Sequence, residues 1–420
     1  MVHCPVARRH LDGGSVRRIG ALGVVVSLVA LVSASAADGA GSGPAKDVFT
    51  AIVGSILGGP TSGVHGTDGR HHVVYELVLT NAKAVPATLQ AVEVLDREHD
   101  ARLFRFEGKQ LLGMLRALNA RPASNLDLPP SESRVVLLSL DFPSARAVPR
   151  LLDHRIEALA AVSPAANAPS SVEYRLATFA LAARETHVFR PPLEGRGWLV
   201  VNGCCGDTGV HRGAIQSING QLFDSQRFAV DFVRADAEGR LVVGDLKEVG
   251  SWVGYGARVL AAATGRVVAA RNDLPDQAPG ALPDPQTITV SDVDGNFVVL
   301  DHGHGVFTFY AHLQRDSVRV VPGERVEVNQ ELGRLGNTGN TSAPHLHFHV
   351  MAGSSPLGSD GLPFVFSKFD FVGVVEEAAL DAALAGAAGL PRRNSLSPAK
   401  RERQLPLDRA FIDFEPASRR

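Results

Sequence analysis

Five residues constrain this chain more than any others: in His345-Leu346-His347-Phe348-His349, ring and apolar side chain alternate. A strand sends positions i, i+2 and i+4 to one face. The pattern therefore predicts a strand with three imidazoles in a row on one side and Leu346 and Phe348 turned to a core. Same-face neighbours stand roughly 7 Å apart, so one ring can bind a metal ion while the next reaches a water on that ion. Six of the 15 histidines lie between His302 and His349. Histidine is not a strong strand former, which argues against ordinary exposed sheet residues.

The surroundings of this strand are turn-dense. With 42 glycines and 25 prolines among 420 residues, short strands are favoured over long helices, and the fold class is mainly β. Before the histidine strand, segments at Phe228 to Val233, Arg258 to Ala263, Gly265 to Ala270, Thr287 to Ser291, Phe297 to Asp301 and Phe307 to His312 read as further strands. Val374 to Leu390 is rich in Ala and Glu and reads as a helix, and Leu405 to Phe414 as a returning edge strand.

The chain divides by composition. Arg8, Arg9, Arg17 and Arg18 precede an apolar run from Ile19 to Val32, and Ala34-Ser35-Ala36 follows. That is a signal-peptide layout over 1–36, because the run falls short of the about 20 residues a membrane span needs. The mature chain is expected to have no transmembrane span and to work outside the cytoplasm, in the periplasm or cell envelope, or secreted. A Gly/Ala/Ser linker occupies 37–47. Residues 48–190 hold apolar runs at His72 to Leu79, Thr88 to Leu95, Arg134 to Leu140 and His154 to Leu159. Turn residues separate them, which suggests an N-terminal β-sandwich resembling immunoglobulin-like modules. A composition shift after Pro191 opens a second domain over 191–373, and a helix and tail take 374–420. A formal net charge of −2, without a basic run carrying aromatics, gives no reason to expect nucleic acid as partner. Cys204 and Cys205, the two cysteines beyond the signal, are open to a vicinal disulfide, buried thiols or metal ligation.

Two more segments reinforce the histidine strand: Arg227-Phe228-Ala229-Val230-Asp231-Phe232 and Tyr310-Ala311-His312-Leu313. With them, residues 211 to 350 resemble the lysostaphin and LytM type of zinc metallopeptidase, whose marks are an Asp ligand, a Y-x-H-L segment and a terminal H-x-H. The spacer Gly333-Arg334-Leu335-Gly336-Asn337-Thr338-Gly339 followed by Ser342-Ala343-Pro344-His345 also matches. The resemblance implies a compact antiparallel β-sheet domain with an open groove, a Zn2+ ion held by Asp231 and His347, and His312 and His345 as the non-ligand catalytic pair. The substrate class it implies is the peptide cross-links of bacterial peptidoglycan. A zinc site of this kind keeps one position for water, whose proton a neighbouring histidine accepts.

One position departs from that pattern. The first histidine ligand usually stands four residues before the aspartate, where this chain has Arg227, and a guanidinium has no lone pair to offer a metal. His211 is the candidate replacement, brought alongside Asp231 by a hairpin turning near Asn219-Gly220; its alternative is a surface or supporting residue. Arg227 also favours a rival in which the domain is a non-catalytic envelope protein regulating another cell-wall hydrolase. A secreted protease acting on other proteins would share the zinc chemistry. His302, His304 and His349 are not expected to be ligands, and Tyr310 is expected to pack in the core.

Overall fold

The computed structural model describes residues 47–417 apart from 60, 164, 183–185, 207–208, 285, 388 and 392–397. The expected signal peptide, and all of the expected linker but Asp47, lie outside the described residues. From Phe49 onward the chain forms one unit.

Its N-terminal part is two antiparallel five-stranded sheets. One is built around β1 (His71–Asn81) and β2 (Ser133–Phe142), which pair antiparallel. The other centres on the paired strands Ala87–Asp96 and Leu151–Ala160. In β1, Val73, Tyr75, Leu77 and Leu79 join Leu89, Val92 and Ile156 of the second sheet in one apolar cluster. The intervening residues face the other way: Val74 enters the core of the following region, and Val78 packs with Val135, Leu137 and Ile215. Both faces of this sheet are covered. A strand so placed reads as a nearly continuous apolar run, as HVVYELVL does.

The C-terminal part is an eleven-stranded sheet. Seven of its strands are β3 (Gly195–Val201), β4 (Val230–Arg234), β5 (Asn296–Asp301), β6 (Phe307–Leu313), β7 (Leu346–Met351), β8 (Phe364–Val374) and β9 (Ala410–Phe414). They run in the order β8-β9-β3-β4-β7-β6-β5, each pair antiparallel. β7 carries the last four residues of the five-residue pattern, with His345 just before it. Leu346, Phe348 and Val350 are fully buried in the main core. A one-residue slip would turn all three to the opposite face, at about 1.5–3 kcal/mol each. That loss is comparable with the net stability of a whole domain, so the register of β7, and with it the position of His347, is fixed.

Two expected elements come out differently. Thr287 to Ser291 is not a strand; Thr287 and Ile288 donate to the Asp284 carbonyl and Asp292 to that of Thr289, local turn bonds that leave no ladder, and Val290 is exposed. The returning C-terminal strand is not at an edge: β9 pairs with β8 on one side and β3 on the other. Its buried run AFIDF has apolar cover on both faces, Phe411 in one cluster and Ile412 and Phe414 in another. The expected helix is present as Glu377–Leu384. Among the described residues no helix is long and apolar enough to cross a membrane.

Candidate metal centre

Strand register does most of the assembly. Asp231 on β4 stands opposite His347 on β7, and His347 Nδ1 lies 2.9 Å from Asp231 Oδ1. His211 arrives from a different kind of structure. After β3 the chain passes the Cys204–Cys205 disulfide and reaches His211 in a turn outside any strand. It then forms the hairpin Gln216–Ile218/Gln221–Phe223, whose turn residues Asn219 and Gly220 have φ of 50° and 81°, the left-handed pair a two-residue hairpin turn requires. His211 Nε2 ends 3.3 Å from Asp231 Oδ2. One ligand atom from each of His211, Asp231 and His347 falls within 4.8 Å of the other two, and all three side chains are buried.

His312 and His345 flank this trio. His345 immediately precedes β7; its Nδ1 lies 2.8 Å from the Ala343 carbonyl, and its Nε2 3.5 Å from Asp231 Oδ1. His312 is the penultimate residue of β6, where strict alternation would set it on the Tyr310 side. Its backbone instead takes a φ of 61°, a left-handed conformation uncommon in a residue with a Cβ. Its ring centroid lies 4.7 Å from that of His345 and 5.9 Å from that of His347. The Nδ1 of His312 is 2.8 Å from the Thr338 carbonyl, in the Gly-rich segment before β7. A carbonyl only accepts, so in both His312 and His345 Nδ1 carries the hydrogen and Nε2 keeps its lone pair.

Burial and neighbouring charge set the protonation states. Burial alone would raise the Asp231 carboxyl, but the His211 and His345 imidazoles beside it hold it well below the usual carboxylate range. His211 is raised, the Asp231 charge outweighing its burial. Burial lowers His347 to about 4; burial, helped by His345 and His347, puts His312 well below the usual imidazole value. The site therefore pairs a carboxylate with two rings, His347 and His312, that burial keeps neutral.

This donor set fits a divalent metal. Two imidazoles and a carboxylate are donor types that a zinc-like ion takes, and one ligand atom from each lies within 4.8 Å of the other two. Supporting contacts are present as well: Asn202 Nδ2 donates to Asp231 Oδ2 at 2.9 Å, and His349 Nδ1 lies 2.9 Å from His347 Nε2. Such outer contacts fix ring and carboxylate orientation. His302 is elsewhere, between the Thr264 carbonyl and Thr308 Oγ1.

Arg227 is turned aside. Its Nε lies 3.1 and 3.0 Å from the two carboxylate oxygens of Glu76 on β1, and its Nη1 donates to the Gly361 carbonyl. The structure brings together the five residues that the sequence reading named, His211, Asp231, His312, His345 and His347; Asn202 and Glu76 were not named. Asn202 carries no local signal. Glu76 carries one: a single acid inside an apolar strand.

Fold and site together define a β-sheet protein with a buried His-Asp-His cluster that could hold a metal ion. Residues 252–358 match the family described as Peptidase family M23. Among curated relatives, it is 37% identical over 65 residues to Peptidoglycan DD-endopeptidase ShyA of Vibrio cholerae, covering 16% of this chain and 15% of that protein. It is 43% identical over 58 residues to Peptidoglycan DD-endopeptidase ShyC of the same organism, 14% and 13% of the two lengths. With lysostaphin of Staphylococcus simulans it shares 38% over 76 residues, 17% and 15%. The chain thus spans about a seventh of the length of the curated relatives it matches. The family match includes His312, His345 and His347 and begins after His211 and Asp231.

Proposed function

We propose that the chain is an exported zinc metalloendopeptidase that hydrolyses peptide cross-links of bacterial peptidoglycan in the periplasm or cell envelope. The observation that carries this reading is the convergence of His211, Asp231 and His347 beside two imidazoles with lone pairs on Nε2. Its support in substrate class comes from two relatives named as peptidoglycan DD-endopeptidases.

In this reading His211, Asp231 and His347 hold the zinc, which when bound acidifies water and polarises the scissile carbonyl. His345 and His312 supply the proton chemistry. A neutral imidazole accepts the proton of the attacking water at Nε2 and returns it to the leaving amine, and the carbonyls of Ala343 and Thr338 keep each ring in the tautomer that leaves Nε2 free. If His347 held the metal through Nδ1, its Nε2–H would be free to donate to His349 Nδ1, 2.9 Å away, which would fix the ring. The N-terminal sheets, which we read as an immunoglobulin-like module over 48–190, brace the metallopeptidase domain over 191–373. Residues 1–36 direct export.

Arg227 was the ground for a non-catalytic reading. Its guanidinium engages Glu76 rather than the site, which leaves that reading without a specific support. The test is digestion of purified peptidoglycan by the zinc-loaded chain with mass spectrometry of the products. New amine and carboxyl ends at the cross-links are expected, absent with chelator and with His347→Ala; intact cross-links under zinc-loaded conditions would refute the reading.

A further inference from the structure

His211 has no strand to hold it, yet it is only 7% exposed and meets Asp231. The residue beside it explains how. Arg212 is buried, and its guanidinium reaches into the N-terminal sheet: to the Glu76 carboxylate, to the Tyr75 carbonyl at 2.9 Å, to the Leu138 carbonyl at 3.1 Å and to Ser139 Oγ at 3.4 Å. Asp224 Oδ2, at 3.2 Å, is a further partner. Ser139 Oγ in turn donates to the Gly206 carbonyl, and Ile215 packs on Val135 and Leu137 of β2. At Gly206, Arg212 and Ile215, contacts of the His211 loop run to β1 and β2.

Glu76 is the centre of this arrangement. Fully buried, it grips Arg212, the residue after His211, and also Arg227, four residues before Asp231. One carboxylate therefore ties down the chain next to two of the three metal-site residues. A carboxylate facing two guanidiniums makes directional, charge-assisted bonds, which set the position of both segments more sharply than apolar packing would.

We propose that Glu76 is a positioning residue of the metal centre: acting through Arg212, it fixes the loop that presents His211, so that metal affinity depends on the N-terminal sheet. This rests on the zinc reading above. Glu76 touches neither the metal donors nor the scissile bond, and its effect is carried by the placement of His211 against Asp231.

The experiment uses the full chain and measures zinc dissociation constants by competition with a chromophoric chelator, alongside thermal unfolding of the metal-free protein. Glu76→Gln and Arg212→Lys are expected to weaken zinc binding about 10–100-fold, the range for residues that orient a ligand. Glu93→Gln is the control. Glu93 is equally buried, among Arg102, Arg105 and Arg155 of the second N-terminal sheet. Its loss is expected to lower thermal stability and leave the zinc constant unchanged. Should Glu76→Gln not fold, Arg212→Lys decides, because it keeps a cation opposite Glu76 and loses the forked contacts to Tyr75 and Leu138. Zinc constants within twofold of the parent in the folded variants would overturn the proposal and leave the zinc reading intact. A parent chain that binds no zinc would overturn both.

Discussion

The candidate metal centre is assembled by two kinds of support. Asp231 and His347 sit on β4 and β7, directly opposite each other in a ladder whose register is set by fully buried apolar side chains. His211 sits in a turn, and what holds it lies in another sheet. A strand-borne donor is as secure as the core behind it. A loop-borne donor is as secure as the contacts of its neighbours, here a buried ion cluster on β1. The difference is one of what fixes position: the ladder cannot slip without losing the core, whereas the place of His211 depends on contacts made by its chain neighbours.

The largest expected effect is on the donors themselves. Asp231→Ala and His347→Ala should each weaken zinc binding by more than the roughly 100-fold typical of changes in supporting residues, read by equilibrium dialysis with metal analysis. His211→Ala should do the same. If it retained parent affinity, the loop would not supply a donor and the contrast between the two supports would fail.

Next come His312→Ala and His345→Ala. These should keep one zinc per chain and lower kcat on a cross-linked muropeptide about 10²–10⁴-fold, the range for loss of a general acid or base. Loss of zinc in either variant would make it part of the donor set instead.

A third prediction uses acid to weaken the loop's support before the ladder's. His154, buried in the second N-terminal sheet, is 2.8 Å from the Tyr75 hydroxyl through Nε2 and 2.7 Å from the Ala177 carbonyl through Nδ1. Tyr75 precedes Glu76 on β1. Burial lowers His154 to about 4 from an ordinary 6.5. The unfolded chain therefore takes up its proton first as pH falls, and this group's contribution to stability is intact above pH 6.5 and lost between 6.5 and about 4. The loss amounts to about 3 kcal/mol. Urea unfolding of the metal-free chain should become easier over that window, and His154→Gln, which cannot titrate, should flatten the slope. An unchanged slope in the variant would remove His154 as the cause.

What was legible in the sequence follows the same division. The β7 pattern could be read because strand periodicity is local, so residue types and side-chain direction are coupled within a few positions, whereas Asp231 and the Tyr310 to Leu313 segment were singled out by the family resemblance. His211 was reached only by elimination, from the inability of Arg227 to bind metal. Glu76 and Asn202 were not reached, since their partners lie 151 and 29 residues away and nothing local encodes such pairings. The C-terminal strand was expected at an edge and is interior for the same reason: β9 shows its own apolar run, but its neighbours β8 and β3 are set by tertiary packing.

The smallest effect tests whether the ladder half tolerates damage behind it. The Tyr310 hydroxyl, in the core beneath β6, accepts the Ala262 N–H at 2.9 Å and that of Thr308 Oγ1 at 3.1 Å. Tyr310→Phe leaves the Ala262 N–H buried without a partner, a cost of about 1–3 kcal/mol, which thermal or urea unfolding will register. The register of β6 against β7 is carried by backbone bonds from Phe307 to Ala311, and the variant removes none of them. Zinc affinity and kcat should therefore stay within twofold of the parent even as stability falls. That outcome is the reverse of the one expected for Glu76→Gln. If Tyr310→Phe instead weakened zinc binding as strongly as Glu76→Gln, the strand-borne donors would be no more self-sufficient than the loop-borne one, because a defect in the sheet's core would then reach His347 and Asp231 as readily as a defect in β1 reaches His211.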